Sequence, residues 1–292
     1  MTTKCLPFFA ATVFLIILLL CGMADCASPE RAQRGATPSA VGGSSAARLS
    51  GYLSEETLPK GPAFMPAPPR AGSTALALDE EISREALGLQ GTTRWKVAAE
   101  DAEISSPKAL DSFSCALNVP VNPQDTPRLS LLLARTLMDV SRAVRVVKNH
   151  YHRLRPYVVN KKPTCTPEYQ SQMERSSSYP SSHSAIGWAW ALILSEIAPE
   201  RATAILARGR DFGQSRIVCN VHWNSDVVEG RVLAAGTVAR LHADQAFRAD
   251  LEGARAEVAA ARARGLKPAA ARCSEEAAAF VAAGTRGETP GL

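Results

Sequence analysis

The sequence lacks two patterns that would assign it to common classes of binding protein: no two cysteines are separated by two residues, and no block of like charges occurs. Without Cys-x-x-Cys spacing, a zinc or iron–sulfur site has little support. A net charge of +5 could suggest a nucleic-acid partner, but the 33 basic and 28 acidic residues are interspersed, which argues against one. A basic pocket that attracts small anions is the milder inference.

Long apolar runs and β-type patterns are also scarce. After residue 24 the longest apolar run has about ten residues, whereas a membrane-spanning helix needs about 20. Alternating apolar and polar runs joined by tight turns do not occur, and no internal repeat is found. With 46% hydrophobic and 21% charged residues, the chain predicts an ordinary globular domain without stable membrane insertion once its N-terminal segment is removed.

The N-terminal segment has the layout of an export signal. Lys4 precedes an apolar stretch that runs to Cys21, and Gly22 and Ala24 supply the small residues of a cleavage site. This arrangement predicts a signal peptide over residues 1–24 and a periplasmic or secreted protein. An uncleaved membrane anchor is the alternative, although the stretch is slightly short for a bilayer.

Export changes how the cysteines are interpreted, because an oxidising compartment lets disulfides persist. Four cysteines clearly remain after cleavage: Cys115, Cys165, Cys219 and Cys273. Four cysteines allow three pairings, and the sequence does not choose among them.

Composition divides the rest of the chain into three parts. Residues 25–72 are rich in Gly, Ser, Ala and Pro and predict a flexible leader. Residues 73–265 predict the folded domain. Residues 266–292 predict a tail that is partly ordered at most, unless Cys273 ties it to the body.

Helical periodicity dominates the predicted domain. Thr126 and Pro127 mark the start of a helix with apolar residues at spacings of four and three, and Ser181 or Ser182 can cap a very apolar helix after Pro180. Further helices are predicted over residues 200–210, 222–241 and 246–263. The predicted fold class is all-α, a compact helical bundle.

A first cluster of chemically useful residues lies near the end of a predicted helix. Lys148 is followed, after six residues, by Arg155 and Pro156. Two permanent cations can neutralise a dianion, and arginine can bind two of its oxygens at once. His150 and His152 lie between them, but two histidines at i,i+2 do not share a helix face, so no metal site is predicted.

The second cluster, Pro180, Ser181, Ser182 and His183, lies at the start of the most apolar helix. A helix N-terminus offers free N–H groups and positive dipole character, so it can hold a phosphate without a metal. His183 would lie beside this phosphate and could donate a proton to a leaving alcohol. Taken alone, a serine cap followed by an incidental histidine explains the pattern equally well.

The third cluster contains Ser215, Arg216, His222 and Asp226. If a helix begins near His222, the i,i+4 spacing places Asp226 on the same face, where its carboxylate can orient the imidazole ring. Arg216 adds another cation. An ordinary helix pair would explain His222 and Asp226 alone, but not the co-occurrence of three such clusters.

Together the motifs K(x6)RP, PSSH and SR(x5)H(x3)D closely resemble the signature of the class A bacterial nonspecific acid phosphatases. That family lies within the phosphatidic acid phosphatase type 2 superfamily, beside lipid phosphatases and vanadium haloperoxidases. The likeness covers about Phe113 to Asp250, in stretches such as FSCALNVPV and GQSRIVCNVHW. It implies a helical bundle of the phosphatase/haloperoxidase type, small-molecule phosphate monoesters as broad-range substrates, no metal or other cofactor, and a possible homo-oligomer.

The resemblance also implies a role for each matched residue. His222 would attack phosphorus to form a phosphohistidine, Asp226 would orient His222, and His183 would protonate the departing oxygen and then activate water. The phosphate would be held by the remaining matched residues, Lys148, Arg155, Arg216, Ser181 and the backbone N–H of Ser182.

Ser182 is the one departure from the family pattern, which usually has glycine there. A Cβ could narrow the pocket or shift the N–H donor, but a residue in the first turn of a helix tolerates serine. We therefore expect activity to survive, with an altered rate or substrate range. Two alternatives remain: a vanadate-dependent haloperoxidase-like enzyme, and a non-catalytic phosphate-binding protein that keeps the anion site without turnover.

Overall fold

A computed structural model describes residues 49–104 and 108–284 of the chain. The predicted signal peptide, the leader up to residue 48 and residues 285–292 lie outside the described residues. Within them the secondary structure is helical and contains no strand, which confirms the all-α prediction. No helix in this part of the chain is long and apolar enough to cross a membrane.

The α-helices of the described residues form one compact unit. In chain order they are α1 (Thr74–Ala86), α2 (Thr93–Glu100), α3 (Lys108–Asp111), α4 (Ser114–Leu117), α5 (Pro127–His150), α6 (Pro156–Asn160), α7 (Gln170–Met173), α8 (Ser182–Ile197), α9 (Ala202–Val218), α10 (Asn224–Leu241), α11 (Gln245–Ala263) and α12 (Ala270–Ala282).

Helix α8 is the centre of the bundle, as its all-round apolar sequence predicts. It packs against α5, α9 and α10, and most of its side chains are buried. The side-chain oxygen of Ser181 accepts a hydrogen bond from the N–H of Ser184 at 3.3 Å, so the predicted N-cap is confirmed. Trp190 is fully buried, and its indole N–H donates to the carbonyl oxygen of Leu133 at 3.0 Å.

Two glycines let the neighbouring helices approach α8 closely. A methyl group at Gly209 of α9 would lie 2.4 Å from the Cβ of Ala191. A methyl group at Gly230 of α10 would lie 2.7 Å from the carbonyl oxygen of Ser181. Because both distances are shorter than van der Waals contact, side chains at these positions would separate the helices that carry the predicted site.

The segment before α1 is packed against the body from about residue 51, where the sequence predicted a flexible leader up to residue 72. The N–H groups of Tyr52 and Leu53 donate to the buried carboxylate of Asp139 at 2.7 and 3.1 Å. Leu53 and Met65 belong to the main hydrophobic core. The prediction was wrong for this part because a few anchoring residues are enough to hold a Pro-rich segment on a helical surface.

The tail beyond residue 265 contains α12, which is fixed by a disulfide between Cys115 and Cys273. Phe280 of this helix is fully buried, and Glu276 lies 3.3 Å from Arg208 of α9. The sequence allowed an ordered tail only if Cys273 tied it to the body, and the Cys115–Cys273 disulfide makes this connection.

Helix α9 ends later than the predicted residue 210. It continues to Val218, and it is followed by Asn220, whose φ of 59° lies in the left-handed region. This turn redirects the chain before His222. A second disulfide, between Cys165 and Cys219, ties the same turn to the loop after α6.

Candidate functional site

The three sequence clusters meet at one cavity of about 690 Å³. Its walls include six of the predicted site residues, Lys148, Arg155, Ser182, His183, Arg216 and His222. A cavity of about 850 Å³ beside α2 and α12 contains none of them. The first cavity is therefore the candidate site.

His222 lies just before α10, not on it as the sequence predicted. Helix α10 begins at Asn224, and the Asp226 carboxylate accepts a hydrogen bond from the backbone N–H of Trp223 at 2.9 Å. This cap brings Asp226 Oδ2 to 3.3 Å from His222 Nδ1. The predicted pair is present, but helix capping produces it and not a shared helix face.

The contacts of His222 define its tautomer. A guanidinium group can only donate hydrogen bonds, so the 3.1 Å contact between Arg155 Nη1 and His222 Nε2 requires an unprotonated Nε2. The proton of the neutral ring is then on Nδ1, facing the carboxylate of Asp226. The nitrogen nearest the cations therefore carries a free lone pair.

Three of the cations that line the cavity are predicted site residues, and they come from different elements. Lys148 lies in the last turn of α5 and donates to the carbonyl oxygens of Ser177 and Ser178. Arg155 precedes α6 and donates to the carbonyl oxygen of Val221 at 3.0 Å. Arg216 belongs to α9, and its Nε has no hydrogen-bond partner among the described residues.

Burial and mutual repulsion weaken the protonation of these cations. Burial, reinforced by Arg155, lowers the pKa of Lys148 to about 7. Burial, again with Arg155 as the second cause, lowers the pKa of Arg216 to about 9. None of the three forms an ion pair with a carboxylate within the described residues. The cavity therefore has an excess of positive charge that an anion would relieve.

His183 lies at the second position of α8 and is partly buried against the segment that follows α2. Its Nε2 lies 2.8 Å from the carbonyl oxygen of Ala102, and because a carbonyl only accepts, Nε2 carries a proton. The other nitrogen, Nδ1, is then the one that can exchange a proton. Burial, followed by the charge of Arg216, places the pKa of His183 well below its ordinary value.

Ser181 and Ser182 occupy different environments at the start of α8. Ser181 is fully buried, caps the helix and donates its own N–H to the carbonyl oxygen of Asp226 at 2.9 Å. It does not line the cavity, whereas Ser182 does. Ser182 is the first helical residue and has no positive φ, so the position does not require glycine.

A further group of residues lies behind Asp226 and is not among the predicted site residues. Arg153 donates from Nη1 to Asp226 Oδ1 at 2.6 Å and from Nη2 to Asp79 Oδ2 at 2.7 Å. Ser178 donates its hydroxyl to Asp226 Oδ2. Arg153 lies within the first motif and could have been noticed as a third cation there, but Asp79 lies in α1, 74 residues away, without a motif of its own.

The two histidines between Lys148 and Arg155 do not take part in a metal cluster. His150 and His152 are exposed, and His152 lies at the edge of the cavity. The described residues contain no group of three or more His, Cys, Asp or Glu side chains arranged to hold a metal ion.

Comparisons with known proteins place the same region in a family. A model of the PAP2 superfamily matches residues 128–249, which include every residue of the three clusters. An acid phosphatase of Zymomonas mobilis is 38% identical over 216 residues, 74% of this chain and 82% of the relative. Non-specific acid phosphatases of Providencia stuartii and Salmonella typhimurium are each 39% identical, over 68% and 67% of this chain and 80% and 78% of their own lengths.

Proposed function

The chain belongs to the PAP2 superfamily and to its nonspecific acid phosphatases, and from this membership and the geometry of the cavity we propose that it hydrolyses phosphate monoesters through a phosphohistidine at His222. The observation that carries the proposal is the unprotonated Nε2 of His222, which lies 3.1 Å from Arg155 in a cavity with excess positive charge. A neutral imidazole in these surroundings is a nucleophile for phosphorus.

In the first step, the lone pair of His222 Nε2 forms a bond to phosphorus while the bond from phosphorus to the alcohol oxygen breaks. The departing oxygen takes a proton from Nδ1 of His183. Asp226 accepts the hydrogen bond from Nδ1 of His222 throughout, which orients the ring and stabilises the positive charge that develops on it.

In the second step, a water molecule attacks phosphorus and the N–P bond breaks, so its electron pair returns to His222 Nε2. His183 Nδ1 accepts the proton that the water loses. Free phosphate leaves, and both histidines are restored to their starting states.

Lys148, Arg155 and Arg216 bind the phosphate and stabilise the charge on its equatorial oxygens. The backbone N–H of Ser182, at the first turn of α8, adds a donor at the positive end of the helix dipole. Ser181 contributes through its cap, which fixes the start of α8, because its side chain and N–H are already occupied. These groups supply the positive charge that the transferred phosphoryl group needs, so we propose that turnover requires no metal ion.

Substrate binding also explains how His183 can act as an acid. In the empty cavity, burial and the neighbouring cations hold the pKa of His183 low and favour its neutral form. A bound dianion brings negative charge beside the ring and favours protonation. This coupling predicts faster turnover on the acid side of neutrality.

The size of the cavity supports a broad substrate range. At about 690 Å³ it is much larger than a phosphate group, and its lining includes apolar side chains such as Ile104 and Met173. Contacts of this kind accept many alcohols without selecting one. The two disulfides support a periplasmic or secreted location.

The test compares hydrolysis of p-nitrophenyl phosphate by the wild type and by His222→Ala from pH 4 to pH 9, with EDTA present. We expect acid-side turnover by the wild type and its loss in His222→Ala, with phosphate binding partly retained. His242→Ala is the matched control, because this histidine is half-exposed and does not line the cavity.

A phosphorylated intermediate is tested separately by rapid acid-free quenching with labelled substrate and mapping of the labelled peptide. Label on His222 supports the proposal. Full activity of His222→Ala, or loss of wild-type activity in EDTA with recovery on adding a divalent ion, would overturn it. Phosphate binding without turnover by the wild type would instead identify a binding protein.

A further inference from the structure

We propose that Arg153 is a positioning residue whose charge, delivered through the Asp226 carboxylate, keeps His222 neutral and nucleophilic in acid. The proposal rests on the proposed function, since it concerns the protonation state in which His222 attacks phosphorus. It begins from a conflict: the carboxylate that orients His222 also favours the imidazolium form of the ring, and an imidazolium cannot attack.

The structure shows how this conflict is reduced. Asp226 is fully buried, and its Oδ1 accepts a hydrogen bond from Arg153 at 2.6 Å, shorter than the 3.3 Å that separates its Oδ2 from His222 Nδ1. The carboxylate is therefore bound more closely to the guanidinium than to the imidazole. A carboxylate neutralised in this way still orients the ring by accepting a hydrogen bond, but it attracts a second proton to the ring less strongly.

Arg153 is held in place from several sides. Its side chain is only 9% exposed, and its Nη1 also donates to the hydroxyl of Ser225 at 2.7 Å. The guanidinium carbon lies 5.5 Å from the centre of the Trp223 ring. Its position is therefore set by α1, by α10 and by the residue that follows His222.

Asp79 of α1 completes this arrangement and gives it an internal control. Its side chain is 2% exposed, and it accepts hydrogen bonds from Arg153 Nη2 at 2.7 Å and from the N–H of Ser225 at 2.7 Å. Asp79 thus neutralises part of the charge that Arg153 presents to Asp226. Removing Asp79 and removing Arg153 must change the charge near His222 in opposite directions.

Burial and the cavity cations Arg155, Lys148 and Arg216 lower the pKa of His222 more than Arg153 does, but these cations act from a different side of the ring. Those facing the ring are Lys148 from α5, Arg155 from the segment before α6, His183 from α8, Arg216 from α9 and Asp226 from α10. The cations among them lie on the cavity side of the ring, where a bound dianion neutralises them. Arg153 acts from behind Asp226, so its effect persists when substrate is bound.

The experiment measures kcat/KM for p-nitrophenyl phosphate from pH 3.5 to pH 8 for the wild type, Arg153→Gln, Arg153→Lys and Asp79→Asn. The acid limb of this profile reports the free-enzyme group that must be unprotonated, which is His222 under the proposed function. Titration of the substrate is common to all four proteins and cancels in the comparison.

In Arg153→Gln we expect the acid limb to move to higher pH by about one unit. At the acid end of the profile, kcat/KM relative to its plateau value then falls roughly tenfold. Arg153→Lys keeps the charge and should leave the limb within about 0.3 unit of the wild type. Asp79→Asn should move the limb to lower pH, by about half a unit, because Asp79 is farther from the ring. The basic limb reports the groups that must be protonated, His183 and Lys148, and it should stay in place in all variants.

If Arg153 and Asp79 had a purely structural role, their substitution would lower the plateau value of kcat/KM or the melting temperature. The acid limbs of Arg153→Gln and Asp79→Asn would then not move in opposite directions. An unmoved acid limb in Arg153→Gln, or movement in the same direction in Arg153→Gln and Asp79→Asn, would overturn the proposal. If Arg153→Gln does not fold, Asp79→Asn decides alone: a limb at lower pH supports the proposal, and an unmoved or raised limb refutes it. Failure of the proposed function is recognised separately: in that case His222→Ala hydrolyses the substrate as fast as the wild type does.

Discussion

The strength of anion binding should depend on the protonation of Lys148 near neutrality. Burial and the charge of Arg155 lower the pKa of Lys148 to about 7, so the free site loses one positive charge as the pH rises through this value. For sulfate, which keeps two negative charges over the whole range, the protonated fraction of Lys148 sets the affinity. That fraction falls from about 90% at pH 6 to about 10% at pH 8, so the apparent Kd should rise about tenfold.

In the free protein, the window from pH 6 to pH 8 separates the titration of Lys148 from that of His183, His222 and Arg216. Burial holds the pKa of both His183 and His222 well below the ordinary value, so these rings are already neutral in the free protein. The pKa of Arg216, at about 9, lies above the window. Titration calorimetry of sulfate binding in two buffers of different ionisation enthalpy measures both the affinity and the proton taken up.

Lys148→Arg and Lys148→Met are the matched variants. A guanidinium at this position stays charged, so Lys148→Arg should bind sulfate with nearly constant affinity across the window. Lys148→Met should bind weakly at every pH, because the charge is always absent. The reasoning would be refuted if the wild-type Kd for sulfate stayed constant from pH 6 to pH 8. A tenfold rise of this Kd in Lys148→Arg would refute it as well.

Three further changes have expected outcomes that follow from the geometry. Ser182→Gly should leave kcat/KM for p-nitrophenyl phosphate within about threefold and lower the free energy of unfolding by about 0.5–1 kcal/mol in urea, because the residue is already helical; a gain of more than tenfold would show that its Cβ obstructs the site. Arg208→Met should cost about 3–5 kcal/mol of unfolding free energy in urea, because it leaves the buried carboxylate of Asp101 without its ion pair, and adding Asp101→Asn should recover part of that loss. Cys273→Ser should cost about 2–5 kcal/mol by the same measurement while kcat of the folded protein is unchanged, since neither Cys273 nor Cys115 lines the cavity; a lower kcat at full folding would contradict this.

Local signals in the sequence predicted the helices and the meeting of the three clusters well. Thr126 and Pro127 do mark the start of α5, although the Thr126 hydroxyl bonds to the preceding turn and not to the helix. Ser181 caps α8 as expected, because serine at an N-cap needs only the N–H groups of its own first turn. Such features are encoded within a few residues and can be recognised without knowledge of the fold.

The features of the fold and the site that could not be predicted from the sequence depend on contacts between segments that are distant along the chain. Asp79 reaches Arg153 only because α1 packs beside α10, and no spacing in the sequence indicates that the two residues form a pair. The packing of Leu53 on the core likewise follows from the carboxylate of Asp139, a charged residue buried in the middle of α5. In both cases one polar side chain far along the chain determines the position of a segment whose own composition suggests nothing specific.

Two buried arginines on α9 show why the candidate site is distinct from the rest of the core. Arg208 is surrounded by the carboxylates of Asp101 and Glu276, at 2.5 and 3.3 Å, so its burial is compensated within the chain. Arg216, two turns later, has no carboxylate within ion-pair distance among the described residues, and its Nε is unpaired. A buried charge without a partner costs free energy. Lys148 and Arg155 share this condition in the same cavity, so an anion that binds there should stabilise the folded protein. Under the proposed function, that anion is the phosphate group of the substrate.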